Sequence, residues 1–256
     1  MFEVNSECEI TAIVDIGPDD RSAVVIDNFY KNPDEVRQLA LKLERRTDIP
    51  FNNHPNGIER AAYETGELRK NVEHLIKQIC FDDEHWKRPC HRETVESNMQ
   101  YMWFLVEYLN EKVMIDQPDR LIPFQLWYEH NPSPFQFKIE VFLNKEEECF
   151  GGTNIWNFAG KTAIVEDMKA MYATKKHFDV IKDVYDSSFT WGREFTFGMK
   201  YNRAVIIPAD ILQAPIMNTG KFTDIDRITQ AIFCLLYTSD AADEGLGVDL
   251  GGRRII

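Results

Sequence analysis

The chain has 256 residues, 44% of them hydrophobic and 28% charged, with a formal net charge of −13 at pH 7. That apolar content supports a substantial core within one large domain and argues against disorder. The acidic balance excludes nucleic acid and anionic membrane as the main partner, because both require a basic surface that neutralises phosphates.

The opening segment, MFEVNSECEITAIVDIG, lacks a positive leader followed by an apolar run, and no stretch reaches the ~18 apolar residues of a membrane span. A cytoplasmic, soluble protein is expected. Five cysteines, Cys8, Cys80, Cys90, Cys149 and Cys234, are sparse and unpatterned, which predicts reduced thiols rather than a disulfide framework.

Ala23 to Tyr30 (AVVIDNFY) reads as a strand. Asn32 then caps a helix with Pro33 at its first position and Asp34 and Glu35 at the positive end of its dipole. Val36, Leu39, Ala40 and Leu43 recur at helical spacing, so one face of this helix is buried. The segment NNHPNG at 52–57 is loop chemistry, with His54 on the surface. Glu67 to Cys80 repeats the helical pattern through Leu68, Val72, Leu75, Ile76 and Ile79. Beyond it, Cys80, His85, Cys90 and His91 crowd together, but without a paired CxxC loop they do not make a zinc site.

Thr94 to Val113 is a short aromatic-rich apolar run that fits helix or strand. Pro123 to Tyr128 and Phe135 to Asn144 read as strands. In the second, Phe137, Ile139, Val141 and Leu143 alternate with Lys138, Glu140, Phe142 and Asn144, the period-two pattern of a strand with one buried face. Between the two lies a polar turn, Glu129 to Pro134. Gly151-Gly152-Thr153 makes another turn before a short run from Asn154 to Phe158. Residues 160–190 read as a helical or irregular insertion with a solvated charged face.

Glu194 to Pro208 is a strand-like run, with Tyr201, Asn202 and Arg203 in a structural role at a strand entry, and Arg227 to Phe233 begins another strand. The loop between them, Ala209 to Asp226, is where a rigid sheet could present a site. The last 23 residues, CLLYTSDAADEGLGVDLGGRRII, resemble a translated sequencing-library adapter. That resemblance implies a natural sequence ending near Phe233, with 1–233 as a single domain and 234–256 as a non-native tail. The chain stays acidic without it.

Taken together, the strand ending FLN, the GGT turn, the run KYNRAVIIPADILQAP and the Arg-Ile-Thr near the end resemble the 2-oxoglutarate/Fe(II) oxygenase superfamily, especially its prolyl-hydroxylase-like branch. The likeness extends over roughly residues 23 to 233. It implies an α+β, mainly β fold, a double-stranded β-helix or jelly roll, with the N-terminal helices packed outside. In active members an HxD pair and a later histidine hold Fe(II) and leave positions for 2-oxoglutarate and oxygen. Carried onto this chain, the first histidine falls on His130, the aspartate position on Pro132 and the second histidine on Gln213. Pro132 has no ligand atom in its side chain, and an amide oxygen binds ferrous iron poorly compared with imidazole. Glu129 and Glu140 are the carboxylates near enough in sequence to stand in.

For the co-substrate, the resemblance assigns Arg227 and Thr229 to the distal carboxylate of 2-oxoglutarate, which suits a guanidinium fork and a hydroxyl. An equally open reading of the same residues is an ordinary strand start, with Arg227 paired to Asp224 or Asp226. Two functions follow. One is a 2-oxoglutarate-dependent dioxygenase using Fe(II) on an unknown small-molecule or protein substrate. The other is a non-catalytic jelly-roll protein that binds a small molecule or partner and needs neither cofactor. A hydrolase is disfavoured, with no GxSxG element and no credible Cys-His pair.

Overall fold

A computed structural model describes residues 2–16, 21–43, 59–62, 99–109, 137–158, 161–162, 191–208, 211, 213–216 and 220–236. The described elements are β1 (Glu9–Ile16), β2 (Arg21–Asp27), α1 (Pro33–Lys42), β3 (Glu59–Ala62), β4 (Met99–Leu109), β5 (Phe137–Phe142), β6 (Gly152–Phe158), β7 (Lys161–Thr162), β8 (Trp191–Gly198), β9 (Ala204–Pro208), β10 (Gln213–Ile216) and β11 (Arg227–Leu236). The expected helix at Glu67–Cys80, the strand at Pro123–Tyr128, the turn holding His130 and most of the 160–190 insertion lie outside the described residues. No helix among the described residues is long and apolar enough to cross a membrane.

The fold is mostly antiparallel sheet. Seven strands pair in the order β1-β2-β9-β5-β11-β4-β3, and a smaller sheet runs β10-β6-β7 with β8 also on β6. The aromatic run around residue 100 resolves as β4, whose whole length pairs with β11 from Arg227↔Leu109 to Leu236↔Met99. β11 therefore continues through Cys234, Leu235 and Leu236, past Phe233.

Strand alternation sorts the core into two clusters on opposite faces of the large sheet. Ile139, Val141 and Leu143 of β5 join Val24, Ile26, Ala204, Ile206, Ile228 and Ile232 in the first cluster, which receives Val36 and Ala40 of α1. Phe142 of β5 joins Val25, Val205 and Ile207 in the second, which the small sheet completes with Ile155 and Phe197. One face of β5 is thus covered by α1 and the other by the second sheet. The alternating pattern predicted only one buried face. Instead Lys138 and Glu140, on the side expected to meet solvent, are each 2% exposed.

The start of α1 follows its residues. Pro33 occupies the first turn and Asp34 and Glu35 lie beside the exposed N–H groups, but the Asn32 side chain makes no capping bond. Glu35 N donates to the Asn32 carbonyl at 3.2 Å instead. At the far end the Tyr108 hydroxyl donates to the Ala40 carbonyl, tying α1 to β4.

The run from Glu194 to Pro208 is two strands in different sheets, because the chain turns at Tyr201-Asn202-Arg203. Asn202 takes φ 61°, a conformation asparagine tolerates better than most residues. Its side chain accepts from Tyr30 N and donates to Tyr30 O, both at 2.8 Å. Next to it, Arg203 grips Asp27 through Nε and Nη2 at 2.7 and 3.1 Å, and Lys200 adds a third contact at 2.9 Å. The structural role expected for this triplet is what these bonds describe: they fasten the crossover between sheets to the end of β2.

Candidate functional site

The space between the two sheets holds an unusual concentration of buried polar groups. From the large sheet come Lys138 and Glu140 of β5 and Arg227 and Thr229 of β11, all at 2% exposure or less. From the small sheet come Thr153 of β6 and Gln213 of β10, also buried. Registration puts these residues on one side. Thr229 pairs with Phe142 and Ala231 with Glu140, and directly opposed residues share a face. Gln213 pairs with Ile155 and Pro215 with Thr153, so Gln213 shares the face of Ile155, which is part of the inter-sheet core.

Local chemistry at two turns sets the position of Arg227. Asn144, just after β5, accepts from Ile228 N at 2.7 Å and donates to Asp226 O at 2.9 Å, bracketing the residue between them. Gly151 and Gly152 have φ of 99° and 144°, and a Cβ on Gly152 would lie 1.9 Å from the Phe197 carbonyl oxygen. Gly152 O lies 3.3 Å from Arg227 Nη2 and accepts from it. The FLN and GGT segments are therefore the two clamps that hold the start of β11.

Arg227 is paired, and its partner is Glu140 rather than the neighbouring Asp224 or Asp226 considered from sequence. Nη2 donates to Glu140 Oε1 at 2.9 Å and to Thr153 Oγ1 at 3.2 Å. The Thr153 hydroxyl in turn donates to Glu140 Oε2. Lys138 Nζ lies 4.0 Å from Glu140 Oε1, and the Arg227 guanidinium sits over the Phe142 ring at 5.5 Å. Burial alone pushes the Glu140 carboxyl up, but the charges of Lys138 and Arg227 and the hydrogen bonds from Thr153 and Arg227 outweigh it and hold its pKa below the usual carboxylate range. Glu140 is an anion in this setting.

Three polar atoms in the same region are buried with no hydrogen-bond partner among the described residues: Arg227 Nε, Thr229 Oγ1 and Gln213 Oε1. A buried polar group left unpaired costs on the order of 1–3 kcal/mol, more if charged. Arg227 and Thr229 share one face of β11, and Gln213 shares the face of Ile155 in the inter-sheet core.

Of the predicted site residues, the structure brings Arg227, Thr229 and Gln213 to that space, and His130 lies outside the described residues. Glu140, considered as a stand-in iron ligand, does point inward, but its oxygens are engaged by Arg227 and Thr153. Among the described residues no three His, Cys, Asp or Glu side chains are grouped to hold a metal ion. The described donors do not fit Fe(II), because Gln213 brings a neutral amide oxygen and Glu140 is committed elsewhere. Lys138 and Thr153 were missed as members of the cluster. Phe142 was the available signal: an aromatic in the series Lys138, Glu140, Phe142 means that this face of β5 is covered.

No family model matches the chain, and no curated protein does. Distant matches occur among solved structures. A prolyl hydroxylase in complex with a hypoxia inducible factor oxygen degradation domain peptide fragment, from Trichoplax adhaerens, covers 89% of this chain and 87% of its own, at 10% identity and a TM-score of 0.44. A putative oxygenase from Shewanella oneidensis covers 89% and 91%, at 9% identity and 0.39. The Fe(II)/α-ketoglutarate-dependent dioxygenase TqaL covers 82% and 76%, at 8% identity and 0.35. Likenesses this distant decide neither the family of this chain nor its chemistry.

Proposed function

We propose that this chain is a 2-oxoglutarate/Fe(II) oxygenase-like jelly-roll protein, with its helices packed outside, that uses the space between its sheets to bind a small polar molecule without redox iron. The observation that carries the reading is the set of three buried, unpartnered atoms, Arg227 Nε, Thr229 Oγ1 and Gln213 Oε1. Two of them offer hydrogens and one needs a donor, so a ligand bearing both a donor and an acceptor satisfies all three. Sites of this type occur where an apolar interior carries a few convergent polar groups. Phe142 and Ile155, both fully buried, supply the apolar part. The protein's partner in this reading is a small molecule in the cytoplasm.

Native mass spectrometry of the purified full chain tests it directly. The expected result is a non-covalent small-molecule adduct that Thr229→Val and Gln213→Leu both diminish. No adduct in the wild type, with melting temperature unmoved in both variants, would sink the reading.

A second reading, a 2-oxoglutarate-dependent dioxygenase, is favoured by one observation: Arg227 and Thr229 lie two apart on the same inward face of β11. It needs iron held by His130, Gln213 and a further carboxylate. Anaerobic Fe(II) titration with 2-oxoglutarate separates the two. A metal-to-co-substrate charge-transfer band that His130→Ala abolishes would replace the first reading with the second, and no band from folded protein is the outcome expected.

A further inference from the structure

We propose that Glu140 is a built-in carboxylate ligand of Arg227, occupying the slot that an external carboxylate would need and thereby barring dicarboxylates from the inter-sheet chamber. The inference takes its functional meaning from reading that space as a ligand chamber. A guanidinium grips a carboxylate at two points through either Nη1 with Nη2 or Nε with Nη2, and both grips use Nη2. In this protein Nη2 is spent on Glu140, Thr153 and the Gly152 carbonyl. Nε is buried without a partner among the described residues and can orient a single accepting group, but with Nη2 committed neither two-point grip is open to a second carboxylate.

Backbone registration makes the slot part of the fold rather than a chance contact. Glu140 stands opposite Ala231, a small residue on the same face of the sheet. Arg227 is fastened one residue before Ile228 by the two bonds of Asn144. Thr153, from the other sheet, closes the third side by donating to Glu140 Oε2. Arginine, threonine and a close Lys138 thus surround a carboxylate-sized space that the chain fills for itself. A pair retained only for stability is a weak explanation, since buried ion pairs often contribute no more than apolar residues of the same volume.

Removing the Glu140 carboxymethyl group by Glu140→Ala vacates a space the size of acetate. Melting curves of wild type and Glu140→Ala are compared in acetate, bulky pivalate, glutarate and chloride at matched ionic strength. The expected result is a saturable rise in melting temperature for Glu140→Ala with acetate and with glutarate, none with pivalate beyond chloride, and none for wild type with any of them. Glu140→Ala that responds no more than wild type would overturn the slot. A response to acetate without one to glutarate would reduce Glu140 to a structural ion partner and overturn its part in specificity. Wild type responding to glutarate like the variant would overturn the exclusion. If Glu140→Ala is unfolded in chloride, refolding yield from urea is read instead, and equal yields in acetate and chloride also overturn the proposal. The added carboxylates are the probes, so absence of a natural adduct on the wild type bears on the function proposed above and leaves this result standing.

Discussion

At the scale of single residues, Asn144 does more than end a strand. Its amide joins the backbone on both sides of Arg227, and Asn144→Ala leaves a buried N–H and a carbonyl without their partners. A loss of about 2 kcal/mol is expected, read as a lower urea midpoint with unchanged slope. A cost below about 0.5 kcal/mol would show that β4 and β5 alone hold the start of β11. Two buried carboxyls contribute to the response to acid. Asp27 and Glu140 both resist protonation: desolvation raises each, but their cationic and hydrogen-bonding partners overcome it. With folded pKa values depressed, their contribution is complete above the unfolded carboxylate range of about 4. It is lost as pH falls through the lower folded values. The urea midpoint should therefore drop below pH 4, and Asp27→Asn should flatten part of that drop. A chain of net charge −13 also sheds self-repulsion on protonation. A midpoint that rises steadily from pH 6 to pH 3 would mean that this opposite effect wins.

At the scale of elements, the GG turn and β8 form one joint. Gly152 is in the left-handed region and its missing Cβ is replaced by the Phe197 carbonyl, whereas Gly198 has open space at the same position. Gly152→Ala must push β8 away from β6 or bend the turn, at roughly 3 kcal/mol from strain and overpacking together. Gly198→Ala should stay within about 1 kcal/mol of wild type by thermal melting. Equal effects would contradict the registration Gly152↔Gly198. Such elements differ in how legible they are before folding. β2, α1 and the stretch Arg227 to Phe233 of β11 were readable because β-branched runs, Pro33 and helical spacing are local signals. The break at Tyr201-Asn202-Arg203 was read only as a strand entry: the run on either side is equally strand-like, and beside the local turn bond from Arg203 N to Lys200 O, long-range bonds to Tyr30 and Asp27 fix where it turns. β5 was read as a strand with the wrong exposure for the same reason, since alternation cannot reveal a second sheet that covers the polar-looking side. In the candidate site, Arg227, Thr229 and Gln213 were singled out by resemblance, but the pairing of Arg227 with Glu140 depends on strand order and could not be read from chain distance.

At the scale of the whole molecule, the large sheet separates two environments, a mainly apolar one beneath α1, with the buried Tyr30–Gln230 hydrogen bond, and one facing the small sheet that holds the charged cluster. A charged cluster in the second environment is a poor choice if stability is its only purpose. Removing one partner of a buried ion pair typically costs 3–5 kcal/mol, whereas replacing both with apolar residues of similar volume is often neutral or stabilising by 1–4 kcal/mol. Glu140→Met should therefore destabilise strongly through an uncompensated Arg227, and Glu140→Met with Arg227→Met should recover most or all of the loss. A double-mutant cycle in urea measures the coupling. The informative comparison is between stability and binding. If the cluster exists to shape the inter-sheet chamber, the double variant is as stable as wild type and loses the small-molecule adduct. A double variant that binds as wild type does would place the ligand elsewhere. One that fails to recover would make the charge pair a determinant of the fold, because the two sheets would then depend on Arg227, Glu140 and Thr153 to find their relative position.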